Sequence, residues 1–159
     1  MNRLFPLILA GALLFLVAGC ASKEAVKKDA KSYPFRHKGY SFKIAWELVP
    51  GHDGVAVQGL MQNITLRKVE DMEVTATLLR GANDEVAEGQ TYVLGSLKDG
   101  ESTDFDLYLP KAVITPGDRL AFRIKYMVPG AAGYTWATNV VTDAKTGAAI
   151  VPDNETTSE

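Results

Sequence analysis

The sequence predicts an all-β fold: an antiparallel sandwich of about seven strands following a cleaved N-terminal leader. Three observations point to it. Apolar residues recur with period two in short runs between Tyr40 and Val140. Turns rich in Gly, Pro, Asn and Asp separate those runs at fairly regular spacing. No long segment has a helical period. The chain has 159 residues, the length of one domain, and falls short of the roughly 200 or more residues of a TIM barrel.

The strands follow in order. Phe42, Ile44, Trp46 and Leu48 alternate with Ser41, Lys43, Ala45 and Glu47, and Pro50 to Gly54 form a turn. Val55, Val57, Gly59 and Met61 share one face of a second strand, which ends near Asn63. Met72, Val74, Ala76 and Leu78 mark a third, closed by the hairpin turn Gly81-Ala82-Asn83-Asp84. Glu85 to Leu94 is less regular, and Gly89 suggests a bulge. Phe105, Leu107 and Leu109 form the fifth strand. Leu120, Phe122, Ile124, Tyr126 and Val128 give the clearest alternation. Tyr134, Trp136, Thr138 and Val140 form the last. Seven strands fit an immunoglobulin-like sandwich better than an eight-stranded barrel.

Composition narrows the function. The formal net charge is −2, whereas nucleic-acid binding calls for a clearly basic domain. The single cysteine excludes an internal disulfide framework and any multi-cysteine zinc site. The core therefore rests on two tryptophans and the Phe, Leu, Ile and Val faces, each large buried side chain contributing about 1.5–3 kcal/mol.

Residues 1–19 read as an address. Met1-Asn2-Arg3 is a short positive start, and Leu4 to Ala18 is uncharged. At about 15 residues this run is short of the roughly 20 that span a bilayer, and it suits the apolar part of a signal peptide. It ends in Val17-Ala18-Gly19-Cys20, which resembles the lipobox of bacterial lipoproteins. That resemblance implies that Val17, Ala18 and Gly19 are read by the signal peptidase. It also implies that the Cys20 thiol takes a diacylglyceryl group. Two or three acyl chains anchor stably, at about 0.8 kcal/mol per buried CH₂. In Gram-negative lipoproteins an Asp after the cysteine often directs inner-membrane retention; Ala21 stands there instead, so for a Gram-negative source the resemblance implies an outer membrane facing the periplasm.

Residues 20–38 then read as the lipidated cysteine and a polar tether. Lys23, Lys27, Lys28, Lys31, Arg36 and Lys38 outweigh Glu24 and Asp29. A sharper alternative rests these cations on anionic headgroups, at about 1 kcal/mol each. The sandwich is expected over 39–142. Residues 143–159 are polar and read as a disordered tail.

The middle of the chain resembles a second family. Gly59 to Asn63 gives Gly-x-x-x-Asn at a strand end, and Leu97 to Phe105 gives a Leu-x-x-Gly-Glu-x-x-x-Phe segment. This is similar to FxLYD-type and related immunoglobulin-like domains of bacterial surface proteins. Ala76-Thr77-Leu78-Leu79-Arg80 departs from the motif that names them. The resemblance implies a structural or binding module and supplies no catalytic residues.

Little else in the sequence suggests chemistry. His37 and His52 lack the spacing of metal ligands and read as exposed polar residues. Asp104 and Asp106 share a strand face and read as its solvent side. Asn63-Ile64-Thr65 and Asn154-Glu155-Thr156 match the eukaryotic glycosylation sequon, but the lipobox resemblance implies a bacterium, so both matches read as accidental, and the Asn63 amide suits a turn backbone. Pro129, Gly130 and Tyr134 mark a candidate binding loop, although Tyr134 and Trp136 fall on one strand face, for which core packing is the stronger reading. The expectation is a non-enzymatic, lipid-anchored envelope protein without cofactor or metal, presenting its sandwich to a protein partner. The alternative is an envelope lipoprotein that binds a small molecule or glycan.

Overall fold

Alternation becomes two sheets facing one another. The computed structural model describes residues 28–131 and 134–158. The leader, Val17 to Gly19 and Cys20 lie outside the described residues. One sheet has the order β1-β2-β3-β6, from β1 (Phe35–Lys38), β2 (Phe42–Gly51), β3 (Gly54–Asn63) and β6 (Ser102–Pro110). The other has the order β5-β4-β7-β8-β9, from β4 (Val69–Arg80), β5 (Asp84–Leu97), β7 (Arg119–Met127), β8 (Thr135–Asp143) and β9 (Ala149–Ser158). Every pairing is antiparallel. The seven expected strands are β2 to β8, in an immunoglobulin-like sandwich. One further strand lengthens each sheet, β1 beside β2 and β9 beside β8.

The inward faces meet in one core. Trp46 is 1% exposed, with its ring centroid 5.0 Å from that of Phe122 and 5.7 Å from that of Phe35. Phe105 lies 6.4 Å from Phe122 and Phe42 lies 5.1 Å from Tyr126, both edge-on, a favoured aromatic geometry. Met61, Met72, Leu78, Leu109 and Leu120 fill the rest.

Both additional strands correct the expected boundaries. The tether does not run to residue 38. A short 3-10 turn, Ala30–Ser32, leads into Tyr33, which is buried against Ala45 and Leu60 on the outer face of the first sheet. Phe35 then packs on Trp46. The residues from 143 onward do not form a loose tail. Asp143 Oδ1 accepts from the amides of Lys145 and Thr146 and from the Thr146 hydroxyl at 2.8–3.0 Å. Gly147 closes this turn at φ 69°, and the chain returns along β8 as β9. A strand at a sheet edge needs backbone partners more than apolar side chains, so its polar composition reads as disorder.

Gly89 is not a bulge, because it pairs in register with Ala76. The register slips instead between Leu78 and Leu79 and between Glu70 and Met72. Gly89 is there for space: a Cβ would sit 2.3 Å from the Tyr108 carbonyl oxygen, where β5 meets β6 of the other sheet. Gly59 makes similar room, since its Cβ would stand 2.4 Å from Phe105 Cζ and 2.6 Å from the Ala45 carbonyl oxygen.

Asp118, 2% exposed, ties down the end opposite the 64–68 loop. It accepts from Arg80 Nε and Nη2 at 2.9 and 2.8 Å, and from the Thr115 amide and hydroxyl at 2.7 and 2.9 Å. The Arg80 guanidinium foremost, aided by Thr115, holds the Asp118 carboxyl well below the usual carboxylate range against the opposing effect of burial.

Two consequences can be measured. Gly59→Ala should cost about 1–3 kcal/mol through overpacking, read as a lower urea midpoint, and an unchanged midpoint would contradict this packing. The folded pKa of Asp118 is depressed, so its stabilisation is complete above the unfolded value of about 3.9 and drains away as pH falls below it. Urea melts of Asp118→Asn should show lower stability at neutral pH and a flatter decline in acid than the wild type. Parallel acid limbs would speak against the role given to Asp118.

Candidate functional site at the loop end

Segments from across the sequence converge at one end of the sandwich: the β1–β2 turn at 39–41, the 64–68 loop, the β7–β8 loop after Val128 and the far half of β9. Asn63 fixes the second of these. It is fully buried and its amide donates to the Arg67 carbonyl at 2.7 Å and the Leu97 carbonyl at 2.9 Å. Its Oδ1 accepts from the Thr65 amide and hydroxyl at 2.9 and 2.8 Å. The side chain thus caps a turn and joins two sheets. Leu66 is held at φ 61°, with its amide on Asp99 Oδ1 at 3.2 Å.

Between these segments lies a cavity of about 230 Å³. Its polar floor joins three elements. Glu155 of β9 accepts from Ser41 Oγ at 2.5 Å and from the Tyr126 hydroxyl. The Tyr126 hydroxyl also lies 3.1 Å from Ser41 Oγ. Burial, and then the Glu155 carboxylate, push the Tyr126 phenol far above its usual range, so it stays a neutral donor. Tyr40, Trp136 and Val128 give the walls an aromatic and apolar surface, and Arg67 and Thr65 supply polar groups. The indole Nε1–H of Trp136 is buried and has no hydrogen-bond partner among the described residues. A donor left in this way costs about 1–3 kcal/mol.

The arrangement offers donors, one carboxylate and aromatic faces. The opposite charges of Arg67 and Glu155 favour no strongly charged occupant. The volume is below the roughly 300–1,000 Å³ of drug-sized sites, and suits one side chain or one sugar ring.

The expected binding loop belongs to this end without lining the cavity. Pro129 and Gly130 form a turn, closed by the Ala131 amide on the Val128 carbonyl at 3.1 Å, with Gly130 at φ 87°. Tyr134 is 42% exposed and precedes β8, so only Trp136 of that pair packs on the core. The histidines are apart: His37 is half-buried in β1 and His52 exposed in the β2–β3 turn. Among the described residues no three His, Cys, Asp or Glu side chains gather as a metal site would need. Asp104 and Asp106 face outward from β6, where Asp106 accepts from Gln58 Nε2 at 3.0 Å. Ser41, Arg67, Tyr126 and Glu155 carried no motif. In the sequence Tyr126 stands simply as one apolar member of its strand's alternation, and only its hydroxyl distinguishes it from Phe122.

No family model matches the chain, and no curated protein matches it. Among solved structures it is similar to the GAE domain of yeast GGA1, at a TM-score of 0.42 and 11% identity over 69% of this chain and 97% of that one. It is also similar to the GAE domain of GGA2p from Saccharomyces cerevisiae, at a TM-score of 0.39 and 12% identity over 70% and 98%. Likeness at this level carries no inference about what this chain binds.

Glu155→Ala removes the shared acceptor of two buried hydroxyls. It should destabilise the fold by about 1–3 kcal/mol and speed amide hydrogen exchange along β8 and β9 more than along β2 and β3. Equal exchange in both proteins would show that Glu155 does not seat β9.

Proposed function

We propose that this is a lipid-anchored protein of the bacterial cell envelope, held through Cys20 on the outer membrane and facing the periplasm. Its sandwich is a non-enzymatic module that offers the loop end to a protein partner. The observation that carries the proposal is Val17-Ala18-Gly19-Cys20 closing an uncharged run behind Arg3. Small residues before the cysteine let the chain enter a peptidase cleft, and the thiol is the acylated atom. The segments at Gly59 to Asn63 and Leu97 to Phe105 support a module of the FxLYD-type build, since Gly59 admits the Phe105 ring and Asn63 pins the turn.

The loop end is the natural face for a partner. It gathers loops on a rigid scaffold, and an acceptor brought to Trp136 would relieve its buried N–H. A second reading is favoured by the cavity itself. Its balanced Arg67 and Glu155 charges and its aromatic walls also suit a small hydroxylated molecule or a sugar.

Metabolic labelling with a fatty-acid analogue tests the anchor. Cys20→Ser should abolish labelling and leave an uncleaved or soluble form, whereas persistent labelling would sink the proposal. Crosslinking in cells tests the face. Arg67→Glu, an exposed change, should cut recovery of a stoichiometric partner at least tenfold, and unaltered recovery would place the partner elsewhere.

A further inference from the structure

The outer face of the first sheet is electrically lopsided. Phe35 of β1 turns inward onto Trp46, so Arg36 and Lys38 project outward. Arg36 lies opposite Ala45 and Lys38 opposite Lys43 in the β1–β2 pairing. Like charges directly across an antiparallel pair repel, yet Lys38 and Lys43 are placed so at the hairpin end. Arg36 and Lys38 form no ion pair among the described residues, and Lys43 donates only to the neutral Gln62 Oε1, at 3.1 Å. These three cations line a groove of about 520 Å³ beside the 3-10 turn, where Asp29 is the one acidic group among the described residues.

The nearest other carboxylates do not neutralise them. Glu47 is paired with Lys28. Asp104 and Asp106 sit on β6, three strands from β1. At about 4.8 Å per strand that is roughly 14 Å from Arg36 and Lys38 and roughly 10 Å from Lys43 on β2, beyond the Debye length of about 8 Å at physiological salt. The cationic edge is therefore local, on a chain whose formal net charge is −2. Tyr40, 72% exposed, stands at the tip of the same hairpin, and tyrosine is favoured at membrane interfaces. The chain reaches this face from residues that themselves include Lys23, Lys27, Lys28 and Lys31.

We infer that the β1–β2 hairpin, through Arg36, Lys38 and Lys43, is a docking surface for anionic phospholipid headgroups and lays the outer face of this sheet against the membrane. The inference deepens the proposed lipid anchoring by fixing how the domain sits beside its anchor. Opposed lysines then gain phosphate counter-charges, and the loop-end cavity lies at the edge of the contact.

The test uses the chain from residue 20 onward, which contains every described element of the sandwich, with Cys20→Ser so that no acyl chain contributes. Binding is measured by co-sedimentation with vesicles of phosphatidylcholine alone and of phosphatidylcholine with one third phosphatidylglycerol. Binding should require the anionic lipid and weaken with salt. Replacing Arg36, Lys38 and Lys43 together by Gln should weaken it roughly a hundredfold, at about fivefold per cation removed. Replacing Lys111, Arg123 and Lys125 by Gln removes the same charge at the far end and on β7 of the other sheet, and should leave it within about twofold. Equal losses in the two triple variants, or no preference for phosphatidylglycerol, would overturn the inference. Circular dichroism of both variants confirms that they are folded. Failure here leaves the Cys20 labelling result standing, and failure of labelling leaves this result standing.

Discussion

The indole of Trp46 lies where the two sheets must touch. It meets Phe122 across the interface and Phe35 from the first strand, while Phe105 reaches Phe122 over the space left at Gly59. The core contains no disulfide, so the sheets are held together mainly by packing, with the Asn63 and Ser41–Glu155 hydrogen bonds joining them at the loop end. Burial of large rings is the strongest such term. Position 59 must then stay small and Phe105 must keep its place. The strands around them inherit their register from that requirement, because a slip of one residue would turn every apolar face outward.

The same packing carries the candidate site. Tyr126 stands in the core with its ring edge-on to Phe42, and its hydroxyl reaches the floor of the loop-end cavity. The polar cluster therefore has a rigid base in the core. Ser41 comes from the β1–β2 turn of one sheet and Glu155 from the last strand of the other. Their shared contact joins the sheets at the loop end as Arg80 and Asp118 brace the opposite end. Both clusters pair a buried group with a partner from a distant part of the chain.

Much of this architecture was legible in the sequence. Alternation located β2 to β8, and Gly59 and Asn63 stood out before their roles in packing and turn closure were visible. Two strands escaped notice because neither has an alternating apolar face. β1 is four residues long, and its core contact, Phe35, falls among the charged residues read as a tether. β9 is polar, and only the Asp143 turn and the Glu155 contact reveal why it stays paired. Gly89 was misread because a bulge and a close approach of two backbones use the same residue. The candidate site was hardest to see. Ser41 and Glu155 are 114 residues apart, and no local spacing records their meeting.

The proposed anchor, docking hairpin and loop end are compatible with one proposed arrangement: a sandwich held at a bilayer by Cys20, turned by its cationic edge, with the cavity left for a partner. The central claim is that acyl chains on Cys20 begin the mature protein. Intact-mass spectrometry of the protein extracted from the membrane fraction tests this most directly. The account requires a mass without residues 1–19 and with a diacylglyceryl group on Cys20. An unmodified chain that retains its leader, or one cut elsewhere with a free thiol, would contradict it.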